Sequence, residues 1–251
     1  MKLTSRFWPL LVFTFVGYQE ITIQPGFGLF SVGFKNVGNQ EFDIQNMECW
    51  QGGAKIELSS AKCVIQKMML DGDGGYDDSK IYSWKKRSGK TGWFDAANNY
   101  LVDGYKVTLG DGEGVSINNK TEEPMQIRIS GEVKLIPNSM LIHDGFSLMG
   151  NMTPVDLDIQ KIKVYNAEGE LIESSSAKAV IQLMMTDGDG GYDDSKIYSW
   201  KKRSGKTGWF DAANNYLTGD YAVTIPAGMG FSFNNKYGET EILKFEVDYS
   251  K

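Results

Sequence analysis

The sequence predicts an all-β protein made of two tandem β-sandwich modules, jelly-roll or immunoglobulin-like in type. Three observations predict it. Apolar residues alternate with polar ones in short runs, and no window holds a 3.6-residue apolar period for three turns. Clusters of Gly, Asn and Asp punctuate the runs at hairpin-like spacing. A long internal repeat divides the 251 residues into two stretches of ordinary domain size.

The chain opens MKLTSRFWPLLVFTFVG over residues 1–17. Lys2 and Arg6 form a basic start, and Phe7 to Val16 is an apolar run broken only by Pro9 and Thr14. Such a run is too short to span a bilayer as a helix and suits the core of a secretory signal. No small-residue cleavage site follows it, so a mis-set start or a retained hydrophobic strand stands as the alternative. The expected location is extracellular or at the cell surface, with no membrane span in the mature chain.

The repeat comes next. Residues 71–100, DGDGGYDDSKIYSWKKRSGKTGWFDAANNY, recur without a change at 187–216. Upstream, SAKCVIQKMML (60–70) faces SAKAVIQLMMT (176–186); downstream, YKVTLGDGEGVSINNK (105–120) faces YAVTIPAGMGFSFNNK (221–236). With small gaps the match extends to GFGLF (26–30) against GFSLM (145–149). The modules are therefore read as 18–133 and 134–251, each of seven to nine short strands, the count of a two-sheet sandwich. In AVIQLMM, Ala179, Ile181, Leu183 and Met185 share one face, and Lys178 and Gln182 the other, which Val180 and Met184 make partly apolar. The joint GEVKLIPNS (131–139) is short, so the modules should sit close together.

Composition removes several functions. With 26 Lys+Arg against 32 Asp+Glu the chain carries a formal charge of -6, which argues against nucleic acid as a partner. A single His and two Cys exclude most zinc sites and argue against Ser-His-Asp and Cys-His catalysis. The expectation is a non-enzymatic protein that needs no cofactor.

Three groups of residues are candidates for function. The acidic loop DGDGGYDDS holds Asp71, Asp73, Asp77 and Asp78, and its copy Asp187, Asp189, Asp193 and Asp194. Carboxylates alternating with Gly can wrap calcium, with Asp71, Asp73 and Asp77, or Asp187, Asp189 and Asp193, as ligands. The EF-hand Gly and Glu positions are missing, and a solvated hairpin turn is the plainer reading. The basic loop holds Lys85, Lys86, Arg87 and Lys90, repeated as Lys201, Lys202, Arg203 and Lys206. Its glycines lack the spacing of a phosphate-binding loop. If the strands on either side of the acidic loop are antiparallel neighbours, the two loops lie at opposite ends of the module. An acidic pole and a basic pole then favour head-to-tail contact of the protein with itself, which can propagate into a filament.

The third group is aromatic: Tyr82, Trp84 and Trp93 with Asp95 and Asn98, repeated as Tyr198, Trp200 and Trp209 with Asp211 and Asn214. Exposed rings beside Asp and Asn suit a polysaccharide partner. The other reading places at least one Trp of each module in the sandwich core. Cys49 and Cys63 both occupy inward-facing strand positions of the first module, as a disulfide or as two buried thiols; Val164 and Ala179 are their counterparts.

Several phrases carry a resemblance: VGYQEITIQPGFGLF, FKNVGNQEFDIQ, GWFDAANNY and GEGVSINN in the first module, and GFSLMGNMTPVDLDIQKI and VTIPAGMGFSFNN in the second. The chain resembles a group of uncharacterised secreted two-module β-repeat proteins of anaerobic bacteria, over most of residues 16–236. The resemblance implies an exported all-β module and transfers no activity and no functional residue. The expected function is thus an exported structural or adhesive protein, a filament or surface-layer subunit assembling through its poles. A carbohydrate-binding protein is the alternative.

Overall fold

Alternation of apolar and polar side chains leaves one face of an extended chain to be buried, and two such faces closing on each other make a core. The computed structural model, which describes residues 16–35, 40–69, 78–110, 112–133, 139–153, 155–185 and 194–246, has that construction. The fold is all-β, and among the described residues the only helical pieces are single 3₁₀ turns.

The first half comprises β1 (Val16–Ile23), β2 (Gly26–Ser31), β3 (Phe34–Lys35), β4 (Phe42–Asp43), β5 (Met47–Gln51), β6 (Ala54–Lys55) and β7 (Cys63–Met69). It continues with β8 (Asp78–Arg87), β9 (Lys90–Phe94), β10 (Thr108–Leu109), β11 (Gly114–Asn119) and β12 (Met125–Val133). One sheet has the order β1-β12-β5-β6, with β3 also beside β12; the other runs β2-β11-β7-β8-β9. A two-residue ribbon, β4 with β10, lies apart from both. Burial follows the strand period: in β12 Met125, Ile127 and Ile129 are buried, while Gln126 and Arg128 face outward. These inner residues share one core with Phe30, Ile65, Trp84, Val115 and Ile117 of the other sheet.

The second half repeats the plan with β13 (Ser139–Ile142), β14 (Gly145–Gly150), β15 (Leu157–Asp158), β16 (Ile162–Tyr165) and β17 (Ala179–Met185). Then come β18 (Asp194–Arg203), β19 (Lys206–Phe210), β20 (Thr224–Ile225), β21 (Gly230–Asn235) and β22 (Glu241–Phe245). Its sheets run β13-β22-β16 and β14-β21-β17-β18-β19, with β15 and β20 as the ribbon. Its core is separate, and no named strand of one half joins a sheet of the other among the described residues. β1 begins at Val16, so Val16 and Gly17, grouped above with the leader, pair with Glu132 and Gly131.

The two halves meet through backbone. Phe30 bridges Met229, and Met149 bridges Glu113; the repeat makes these the same contact seen from either side. Ser31 N–H donates to the Gly228 carbonyl at 2.9 Å, and Gly150 N–H to that of Gly112 at 3.2 Å, again as equivalents. Glycine permits the approach. A Cβ on Gly114 would lie 2.5 Å from the Met149 carbonyl oxygen, and one on Gly230 would lie 2.5 Å from the Phe30 nitrogen. The contact is therefore a pseudo-two-fold one, in which each half offers the same patch to the other.

Candidate functional site

The described parts of the identical blocks, 78–100 and 194–216, fold alike. β8 pairs with β9 through a two-residue turn whose central residues, Ser88 at φ 50° and Gly89 at φ 76°, are both left-handed. This turn twists with its strands, and Ser204 and Gly205 repeat it at φ 51° and 75°. The tip carries the basic residues. Lys86 Nζ pairs with Glu57 at 2.7 Å, and Lys85 Nζ donates to Asn98 Oδ1 at 2.6 Å. In the copy Lys202 pairs with Glu173 at 2.7 Å and Lys201 donates to Asn214 at 2.7 Å. Lys90 and Lys206 lie over the rings of Tyr100 and Tyr216. The Lys86 ammonium holds the Glu57 carboxyl below its ordinary range, as Lys202 with Thr207 does for Glu173. Of the four cations at each tip, Lys86 and Lys202 thus pair with Glu57 and Glu173. Burial raises the Asp211 pKa, but the Asn215 hydrogen bonds, helped by Lys201, hold that carboxyl below its ordinary range.

β7 and β8 are antiparallel neighbours from Cys63↔Trp84 to Met69↔Asp78. The basic tip follows Arg87, so Asp78 and the basic turn occupy opposite ends of β8. Ten residues of strand separate those ends by roughly 30 Å. Asp78 and Asp194 open β8 and β18. Asp71, Asp73, Asp77, Asp187, Asp189 and Asp193, and with them the calcium reading, lie outside the described residues.

The aromatic group is corrected by burial. Trp84, Trp93, Trp200 and Trp209 are at most 1% exposed, and Tyr82 and Tyr198 are buried beside them. None of the four indoles presents a face to a sugar. Cross-strand register sets Trp84 against Trp93, centroids 5.6 Å apart and edge to face, and Trp200 against Trp209 at the same 5.6 Å. Each indole N–H is satisfied inside: Trp84 donates to the Ile56 carbonyl at 2.7 Å and Trp93 to that of Met47 at 3.0 Å. Trp200 and Trp209 donate likewise to the Ile172 and Ile162 carbonyls. The polar members build a turn. Asp95 accepts from the Asn99 backbone at 2.7 Å and from its side chain at 2.9 Å, and Asn98 adopts φ 69°. Asp211 and Asn215 repeat the clamp, with Asn214 at φ 68°.

Cys49 of β5 and Cys63 of β7 are free, buried thiols on facing sheets. Burial and the adjacent Cys63 push the Cys49 thiol well above its ordinary range. That suits inert core side chains rather than a nucleophile.

Large apolar side chains outside the core recur at equivalent places: Phe27 with Phe146, Ile81 with Ile197, and Tyr105 with Tyr221 are all exposed. Phe27, Phe146, Tyr105 and Tyr221 lie outside the identical blocks, in flanking stretches that match only in part.

One cluster escaped sequence reasoning. On the solvent face of the β1-β12-β5 sheet the register lines up Glu20, Arg128 and Glu48. The Arg128 guanidinium lies 3.9 Å over the Trp50 ring and donates through Nε to Glu20 at 2.8 Å. Trp50 Nε1–H donates to Glu48 at 2.9 Å, and Lys55 pairs with the same carboxylate at 2.7 Å. Burial raises the Glu48 pKa, but the Lys55 and Trp50 donors outweigh it and leave the carboxyl below its ordinary range. Tyr18, 62% exposed, donates to Glu20 at 3.1 Å. Trp50 and Arg128 are brought together only by strand pairing.

Comparison of the chain with models of protein families, with curated proteins and with solved structures finds no match.

Proposed function

We propose that the protein is an exported structural or adhesive subunit that assembles head to tail, the basic tips of one copy meeting the acidic segments of the next. The observation that carries this reading is the run of β8 and β18 between a basic turn and an aspartate-bearing end. About 30 Å of strand is several times the screening length of about 8 Å at physiological salt. The two ends of one module therefore cannot neutralise each other, and neutralisation is left to a neighbour. Single exposed ion pairs are weak, but each chain carries both ends twice, so a junction using both gains by multivalency. The exposed apolar pairs Phe27/Phe146 and Tyr105/Tyr221 add contact area that a solitary module has no need to keep. The basic and apolar start of the chain supports export.

The reading is non-catalytic. Light scattering across a salt series tests it: mass above the monomer at low salt should fall to the monomer as salt rises. A strict monomer at low salt, or an oligomer indifferent to salt, refutes it.

A further inference from the structure

We infer that the outer face of the β1-β12-β5 sheet is a binding platform for a neutral polysaccharide, centred on Tyr18, Trp50 and Arg128. The face holds an open cleft of about 370 Å³ lined by these three with Glu48 and Ser130, a size within the range of small-ligand sites. Its chemistry selects the ligand. Glu20 and Glu48 are matched by Arg128 and Lys55, so the cleft has no net charge to draw a polyanion or a polycation. Two aromatic side chains flank it, and a neutral sugar offers the CH groups that stack on rings and the hydroxyls that meet fixed donors and acceptors.

Those polar groups are already oriented. Arg128 is fixed by the Glu20 carboxylate and the Trp50 ring, and Glu48 is fixed by the Trp50 N–H and Lys55. All stand on paired strands or, for Lys55, on the adjoining hairpin, so little side-chain freedom remains to be lost on binding.

The second half supplies an internal comparison. Lys244 lies 4.0 Å over Tyr165, the same stacked pair at the same register, so stacking alone is a sheet-stabilising device common to both. Around it, however, Ser139 stands in the place of Glu20 and Lys163 in the place of Glu48. The second half does bring a carboxylate to its ring, since Glu246 hydrogen-bonds the Tyr165 hydroxyl. The Glu20 and Glu48 positions flanking the stacked cation, and Tyr18 where the second half has Pro137, belong to the first half alone. They are what stacking does not explain.

Sedimentation with insoluble cellulose, xylan, mannan and chitin, and with polygalacturonate as the anionic arm, tests the platform. It is run at high salt, where contact through the charged ends is screened, so that failure of the assembly reading and failure of this one are distinguishable. The intact chain should co-sediment with at least one neutral polymer, and Trp50→Ala and Tyr18→Ala should each weaken retention at least about tenfold. Tyr165→Ala and Tyr105→Ala should leave it unchanged. Near-ultraviolet dichroism checks that each variant folds; Tyr18→Ala removes an exposed side chain and keeps the test valid if Trp50→Ala does not fold. No retention on any neutral polymer, retention indifferent to both substitutions, or retention on polygalacturonate alone overturns the proposal.

Discussion

At Glu241 a carboxyl sits where the first half has Met125, on the inner face of the sheet and 1% exposed. Its Oε2 finds no hydrogen-bond partner within the structure, and neither does the buried Tyr237 hydroxyl. Burial, then the charges of Glu239 and Glu168, push the Glu241 pKa up to about 7; burial and Glu241 push Tyr237 to about 12. The folded state therefore holds the Glu241 proton more tightly than the unfolded chain, whose carboxyl has its ordinary pKa of about 4.5. Stability should fall as pH rises from about 4.5 to about 7 and then level off. Thermal melting across that range checks the sign, and a stability rising with pH through the window would contradict it. Glu241→Met should remove that dependence and add about 1–3 kcal/mol at pH 8, the cost of an unsatisfied buried acceptor. The indoles are the opposite case, buried with every N–H satisfied. Trp200→Ala should cost about 3–5 kcal/mol in denaturant unfolding, and a loss below about 1 kcal/mol would place that ring outside the core.

At the scale of elements, much of the organisation was legible. Alternation in AVIQLMM marked the strand Ala179–Met185, whereas in YAVTI only Thr224–Ile225 is strand and Tyr221 closes a 3₁₀ turn; Gly-Asn-Asp clusters marked strand ends. Each half has eight strands of four or more residues among those described, with two-residue pieces besides, within the expected count. Faces were harder. In KIYSWKK the period groups Tyr82 with Trp84, but only the opposing sheet decides that this group points inward. A polar fringe of Asp95 and Asn98 looked like a sugar-binding rim because a turn clamp uses the same residue types as a ligand site. Trp50 and Arg128 are far apart in sequence and meet through β5–β12 register alone, so no local motif could show them. The short joint implied that the halves sit close, but which residues touch was equally hidden, because glycines announce close approach only when a neighbour is known. That contact yields an element-scale prediction. Gly114→Ala and Gly230→Ala push a Cβ into backbone that cannot move aside, and each should cost about 1–3 kcal/mol. Calorimetry should show one cooperative transition for the intact chain and two for the double variant. Unchanged calorimetric traces would contradict a tight junction.

For the whole molecule, the pseudo-two-fold junction has a consequence for assembly. A patch that pairs with its own equivalent closes on itself and is used up within the chain. In the proposed assembly growth would therefore use other surfaces, and the basic tips repeat and are exposed: Lys86 and Lys202 keep the same exposed ion pair, at the same distance, in both halves. Contact between copies through the charged ends, as proposed, would be heterologous and would leave a site open at each end of the assembly. The net charge of -6 conceals this arrangement, since it averages segments of opposite sign. The most direct test compares the intact chain with one carrying Arg87→Ser, Lys90→Ser, Arg203→Ser and Lys206→Ser, by light scattering at low and at high salt. The account predicts that the intact chain is assembled at low salt and monomeric at high salt, while the variant is monomeric at both. Equal assembly of the two chains, or an intact chain that stays monomeric at low salt, would contradict it.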